Sequence, residues 1–385
     1  MKLSLLALIP AALATPIVQR RSEPAPLHIR RDIEALIADQ YIVKYYDVSA
    51  SSVVENGIKK LSVKPKHLFK GAIRGFAAKL DQKTLDLLRD DPNVEFIEQD
   101  AKVQLNAYVT QSGAPWGLAR LSSRSPGASN YTYDNSAGAG TCSYIIDSGI
   151  EANHSDFSGR ASQIYGDTDG NGHGTHVAGI IGSNTYGVAK RTTLLGVKVL
   201  NDYGSGSYSD IIAGIDFVIS DARSRSCPNG AFVNMSLGGD NSATLNAAAY
   251  SMIQANIFVA VSAGNRNTDA ADYSPANEPS VCTVGATNSS DGRAAGTNYG
   301  SVIDIFAPGQ SILSTYIRNG TRSLSGTSMA SPHVAGLAAY LSGLKGYNGA
   351  LATCQQIIEL ATTGLISDLP GGTPNRLVFN GNPSG

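Results

Sequence analysis

Three residue types, met in the order aspartate, histidine and serine, carry the chemistry available to this chain. Asp147 closes the apolar run Cys142–Ile146 and is followed by Ser148-Gly149, which sets a carboxylate at the rim of a buried strand. His173 lies in Gly172-His173-Gly174-Thr175-His176, at the junction of a Gly-rich loop and a small-residue helix pattern. Ser328 is the centre of Gly326-Thr327-Ser328-Met329-Ala330-Ser331-Pro332, and an uncharged run to Leu341 follows it. That run reads as a buried helix, with Gly-Thr as the turn that puts Ser328 in its first turn. Unpaired N–H groups and the positive end of the helix dipole collect there and favour an anion forming beside the hydroxyl. A serine hydroxyl is a weak nucleophile until a base accepts its proton. A histidine base in turn needs a carboxylate to fix its tautomer and steady the imidazolium. Phe258–Gly264 is a second apolar strand pattern, and it ends in Asn265, a neutral amide able to donate to an oxyanion together with the Ser328 N–H. Singly, each residue has a plainer explanation as a turn, a cap or helix packing. Their common order, one of three unrelated orders for such a set, joins them into one candidate site.

Competing chemistries fail on spacing. Asp167, Asp169, Asn171 and Gly172 imitate the start of a calcium-hand loop, but its twelfth position is Ala178, where a bidentate Glu is required. His173 and His176 lack the intervening Glu and the four-residue step of a zinc peptidase. His176, on the apolar side of the helix, reads as structural. An α/β-hydrolase esterase needs Gly-x-Ser-x-Gly and the order Ser, Asp, His, and neither is present.

The elements that must position these residues lie after Ala107. There, long apolar strands alternate with Ala/Gly-rich helices, at Cys142–Ile146, Leu194–Leu200, Ile211–Ser220, Ala231–Ser236, Ala243–Ala255 and Ile257–Val261. The pattern predicts an α/β fold, a mostly parallel sheet covered by helices on both faces, with functional groups at the carboxyl ends of its strands. Before it, residues 40–106 read β-α-β-β-α-β, a small ferredoxin-like α+β unit. Its elements are the strand Tyr41–Tyr45, a helix opened by a capping box at Ser52–Glu55 and running to Leu61, and strand alternation over Leu68–Leu80. A helix capped by Asp81 and a last strand Val94–Glu98 complete it. This unit carries no catalytic set or metal spacing.

Of the 385 residues, 42% are hydrophobic and 16% charged, and the net charge of −1 comes without a basic run, which excludes a nucleic-acid partner. Residues 1–14 pair Lys2 with a short apolar core and an Ala-Leu-Ala end, the form of a secretory signal peptide, and no later run is long enough to span a membrane. The division expected is therefore 1–14 signal, 15–39 spacer, 40–106 the small unit and 107–385 the large one. Export is expected to the extracellular space, with a vacuolar destination the lesser alternative. Four cysteines in an exported chain favour two disulfides over buried thiols, and spacing alone leaves three pairings open. Sequons at Asn130, Asn153, Asn288 and Asn319 are glycosylation candidates, while Asn234, in an apolar strand, is expected to be buried.

Asp147-Ser148-Gly149, His173-Gly174-Thr175-His176 and Gly326–Pro332 resemble the three signatures of the subtilisin-like serine proteases, nearest to the proteinase K group of fungal enzymes. Ala114–Arg120, Asn234–Gly239 and Ala263–Asn265 extend the resemblance over nearly all of 107–385, and 40–106 resembles the family's inhibitor-type propeptide. The resemblance implies an autoprocessed zymogen of a broad serine endopeptidase, acting as a monomer through an acyl-enzyme on protein and peptide substrates. It makes Asp147, His173 and Ser328 the triad and Asn265 the oxyanion donor. Ser236-Leu237-Gly238 and Ala263-Gly264 become walls of the pocket for the residue before the scissile bond (P1), and Gly204-Ser205-Gly206 an edge strand that pairs with substrate backbone. Acidic residues are missing from those walls, so apolar or aromatic P1 side chains are expected and a dibasic-specific processing enzyme is disfavoured. Further implications are the disulfides Cys142–Cys227 and Cys282–Cys354, with Val177 where a free thiol often lies. A structural calcium ion is implied on the carbonyl oxygens of Pro279 and Val281 and the carboxylate of Asp304; for a second site, the Leu365–Pro370 region lacks the expected acidic residue at the matching place. The propeptide would act as chaperone and inhibitor and be cut between Asn106 and Ala107.

Overall fold

A computed structural model describes residues 21, 23–29, 36–47, 49–102 and 108–385, and the chain divides into two compact units, Met1–Gln104 and Leu105–Gly385. The expected signal peptide and the Asn106–Ala107 junction lie outside the described residues.

In the smaller unit, strands Leu36–Tyr45, His67–Phe69, Arg74–Lys79 and Val94–Ala101 form an antiparallel sheet, with Leu27–His28 added in parallel at the Val94–Ala101 edge. Alternation decides its faces. Val43 and Tyr45 enter a core with Phe76, Leu85, Leu88 and Ile97, while Lys44 between them turns out to Glu95. The expected strand region Leu68–Leu80 is two strands folded about residues 70–73. Asp81 caps the helix Gln82–Arg89 by accepting the Thr84 N–H at 2.7 Å. The capping box expected at Ser52–Glu55 is not formed. That helix runs Ser51–Ile58 with Ala50 at its N-cap and no side-chain bond, because Ser52 already lies inside the first turn.

The larger unit is built on a nine-stranded sheet. Its strands are β1 (Cys142–Asp147), β2 (Ala161–Tyr165), β3 (Thr193–Lys198), β4 (Ala231–Met235), β5 (Phe258–Ser262), β6 (Cys282–Thr287), β7 (Ile305–Pro308), β8 (Thr362–Thr363) and β9 (Arg376–Leu377). They stand in the order β8-β9-β7-β6-β5-β4-β1-β3-β2, all parallel except the β8–β9 pair. The main helices are α1 (His173–Gly182), α2 (Tyr208–Ser224), α3 (Ala243–Gln254), α4 (Thr327–Lys345) and α5 (Ala350–Leu360).

Successive strand residues feed two different cores. Ile145, Phe232, Phe258 and Ala260 pack with Val177 and Ile181 of α1 and with Met329, Val334 and Leu337 of α4. Their neighbours Tyr144, Ile146, Val233, Val259 and Val261 pack on the other face with Ile211, Ile215 and Val218 of α2 and Leu245 and Met252 of α3. Apolar burial on both faces is why these strands read as continuous apolar runs. Cys142 is joined to Cys227 and Cys282 to Cys354, with Cα–Cα distances of 5.6 and 5.9 Å. Strand β2 and the hairpin Ile312–Tyr316/Gly320–Leu324 are elements that apolar patterning does not announce, since each is short and partly exposed.

Candidate active site

Strand β1 lies where the sheet order reverses, between β4 and β3, so the chain leaves its neighbours in opposite directions and opens a crevice at their carboxyl ends. Asp147 is the last residue of β1 and is fully buried. His173 is the first residue of α1, and the helix can begin there because Gly172 takes φ 99°, a left-handed turn that suits glycine. The imidazole Nδ1 lies 2.8 and 2.9 Å from the two carboxylate oxygens of Asp147, and its side chain is 26% exposed, so the far edge of the ring is open to the cleft. Burial pulls the His173 pKa down, but the Asp147 charge and hydrogen bond outweigh it, and the net shift is upward.

The loop before α1 is tied by a residue that sequence reasoning left without a role. Asp169 is buried and accepts five hydrogen bonds. Ser148 Oγ and the N–H groups of Asn171 and Gly172 donate to Oδ1 at 2.9, 3.0 and 2.8 Å; the N–H and Oγ of Thr175 donate to Oδ2 at 2.9 and 2.6 Å. One carboxylate thus holds the residue after Asp147 and both sides of His173. The partial resemblance of 167–172 to a cation loop was the visible trace of this: acidic oxygens gathered by a tight turn, with backbone donors in place of an ion. His176 is fully buried, its Nε2 within 3.0 Å of Ile312 O and 2.9 Å of Arg322 O, and burial lowers its pKa to about 4. It is neutral and holds the hairpin to α1.

Ser328 is the second residue of α4. Pro332 stands four residues on, inside the helix, and has no N–H for the Ser328 carbonyl. Ser236 supplies the missing donor through its Oγ at 2.8 Å, while the Ser328 hydroxyl faces the Ser236 carbonyl at 3.4 Å. Asn234 donates to Ser236 Oγ at 2.9 Å and accepts from Ser331 Oγ at 2.7 Å, which carries the tie back to α4. This sequon asparagine is fully buried, whereas Asn130, Asn153 and Asn319 are exposed and Asn288 half-buried. Asn265 follows β5 and turns Oδ1 toward α4, accepting from Thr327 N at 2.8 Å and Oγ1 at 3.1 Å.

Two adjoining clefts collect the remaining candidates. One, of about 370 Å³, is lined by Ser236, Leu237, Gly238, Ala263, Gly264, Asn265 and Ser328, among others. The other, of about 400 Å³, is lined by His173, Gly204, Ser205 and Gly206 and shares the wall Ser236–Gly238. The expected edge strand at Gly204–Gly206 is an exposed irregular segment among the described residues, because Ser205 turns both its N–H and C=O back to Asn201.

For a cation, Asp304 is the informative group. Burial raises its pKa to about 6, against the Thr283 N–H bond at 2.8 Å and the Arg376 charge. A desolvated carboxylate of this kind fits a hard oxygen-seeking ion that would keep it charged. The sulfurs of Cys282 and Cys354 lie close by but are spent in their disulfide.

Comparison with known proteins meets this geometry. The model of the Subtilase family matches residues 138–377, and that of the Peptidase inhibitor I9 family matches 37–106. The chain is 67% identical over 390 aligned residues to the subtilisin-like serine protease AsES of Sarocladium strictum, with all of both chains covered. It is 55% identical to Proteinase R of Parengyodontium album, covering 98% of this chain and 97% of that one. Identity is 52% to a cuticle-degrading protease of Metarhizium anisopliae, covering 98% and 99%. The crystal structure of a cold-adapted subtilisin-like serine proteinase superposes with a TM-score of 0.67 at 41% identity, covering 70% of this chain and 99% of that one.

Proposed function

The chain belongs to the subtilase family of serine proteases, and on that premise we propose that Asp147, His173 and Ser328 carry the reaction with Asn265 as oxyanion donor. It is a serine endopeptidase made with an I9-type propeptide, and hence a zymogen. His173 takes the Ser328 proton as the hydroxyl attacks the scissile carbonyl, and Asp147 holds the imidazole with Nε2 toward the serine. The tetrahedral oxyanion receives the Asn265 amide and the Ser328 N–H. His173 then returns the proton to the leaving amine, and water resolves the acyl-enzyme by the same route. The observation that carries this reading is the His173–Asp147 bond beside a cleft whose lining holds Asn265 and Ser328 together.

The walls Ser236–Gly238 and Ala263–Gly264 suit apolar and aromatic P1 side chains, with broad tolerance elsewhere because Gly204–Gly206 offers main chain rather than side chains. Four regions complete the reading: an exported leader at 1–14, a spacer at 15–39, an inhibitor and chaperone at 40–106, and a monomeric peptidase at 107–385, freed by cleavage after Asn106. Secretion to the extracellular space is part of it; among the described residues no helix is long and apolar enough to cross a membrane. Calcium on Pro279, Val281 and Asp304 would be structural, and glycans at Asn130, Asn153, Asn288 and Asn319 are candidates.

Hydrolysis of peptide amides differing only at P1, by the secreted enzyme and by Ser328→Ala with and without a serine-directed inhibitor, tests this. The expected result is cleavage after Phe and Leu, blocked by the inhibitor and reduced at least about a thousandfold by Ser328→Ala. A variant as active as the parent would sink the assignment.

A further inference from the structure

Among the residues that line the cleft beside Ser328, one is charged, and it is a cation. Arg266 follows Asn265 directly and lines the cleft together with Tyr273. Its backbone is fixed, the N–H donating to Asn298 Oδ1 at 2.9 Å. Its guanidinium lies over the Tyr273 ring, 5.1 Å from the centroid, with Nη1 3.3 Å from the Tyr273 hydroxyl. Asp240 reaches the same Nη1 at 3.4 Å, and these two side chains are 63% and 88% exposed. Asp240 is outside the cleft lining, so the positive end of the pair faces the substrate side.

We infer that Arg266, braced on Tyr273, is a specificity-determining residue that admits acidic P1 side chains into an otherwise apolar pocket. The inference rests on the proposed function, since it concerns the P1 pocket of that reaction. A P1 glutamate carries its charge at the end of a flexible stem and can leave its methylenes against Leu237 and Ala263 while the carboxylate meets the guanidinium. Arginine suits this role, because a planar fork stacked on an aromatic ring has lost little of its hydrogen-bonding reach. Asp240 opposes it, holding part of the field that substrate would otherwise feel. Both groups are largely solvated, so the effect is modest: charges a few ångströms apart at a wet surface change affinity by roughly two- to fivefold.

The test compares kcat/KM for amides with P1 Phe, Gln, Glu and Lys in the mature enzyme and in Arg266→Gln, Arg266→Glu and Asp240→Asn. Gln is the neutral isostere of Glu, so the Glu-to-Gln ratio isolates charge from shape. In Arg266→Gln the ratio is expected to fall about two- to fivefold. Arg266→Glu lowers it further and raises P1 Lys, while Asp240→Asn raises the Glu-to-Gln ratio. High ionic strength should shrink all these differences. A ratio equal in the parent and both Arg266 variants, or unmoved by Asp240→Asn, overturns the inference while P1 Phe cleavage persists. Absence of P1 Phe cleavage from the processed parent would instead overturn the proposed function.

Discussion

His173 is pulled two ways, by burial toward the neutral form and by Asp147 toward the charged one, and Asp147 prevails. A base must be neutral to act, so the raised pKa delays its readiness as pH climbs. The acid limb of kcat/KM is expected above the ordinary histidine value of about 6.5, giving an enzyme that favours neutral to alkaline pH. Stability runs the other way. A raised pKa contributes stability that is fully present below the unfolded value and is lost as pH rises through the folded one. A kcat/KM profile whose acid limb falls below 6.5 would mean that burial, not Asp147, prevails at His173. Asp169 adds its charge to the same effect. In Asp169→Asn the amide nitrogen would oppose the two Thr175 donors, loosening α1 at its start. We expect kcat to fall by at least about tenfold, with KM little changed and the acid limb displaced to lower pH. A loss of activity without that displacement would make Asp169 a scaffold residue only.

At the scale of elements, α4 is a helix interrupted by its own sequence and repaired by the residue that follows β4. Removing the Ser236 hydroxyl leaves the Ser328 carbonyl without its donor, beside the nucleophile. Ser236→Ala is therefore expected to lower unfolding free energy by about 1–3 kcal/mol in urea denaturation and to reduce kcat along with it. Gly174 is the complementary case in α1, where an added Cβ would overlap the Gly149 carbonyl and press on Asp147. Gly174→Ala should push the helix from β1 and abolish self-processing, seen as accumulation of the full-length chain on a gel. These dependencies bound what the sequence could disclose. The strand-end places of Asp147 and Asn265 and the helix-start places of His173 and Ser328 were legible because a polar residue is conspicuous where an apolar run ends or begins. Both faces of the sheet were legible for the same reason. The ties of Asp169 were not, because they come from donors on four residues that a turn brings together, and the place of Arg266 in the cleft lining was not, because a single exposed arginine after Asn265 looks like any other. The capping box at Ser52 failed on register: the signature was present one residue inside a helix already begun.

For the whole molecule, the two disulfides span 85 and 72 residues, and each constrains the unfolded chain by about 4.5 kcal/mol in the chain-entropy account. Asp304 sets the ionic part. Its raised pKa means the ion-free fold is favoured with Asp304 protonated, a contribution present below about pH 4 and lost as pH rises through about 6. A calcium ion bound there, as proposed, would remove that loss. Chelation should consequently lower the melting temperature more at pH 8 than at pH 5, and Asp304→Asn should abolish the calcium response. Equal chelator sensitivity at both pH values would exclude Asp304 as the ligand. The buried asparagine in β4 has a different consequence, in time rather than space. Asn234-Met235-Ser236 is a glycan acceptor in the extended chain, yet in the fold Asn234 is sealed between Ser236 and Ser331. A sugar on this side chain and the native sheet exclude each other, so a chain modified at Asn234 could not complete β4. Were the chain exported through a strongly glycosylating compartment, Asn234 would be a branch point at which folding has to outrun modification.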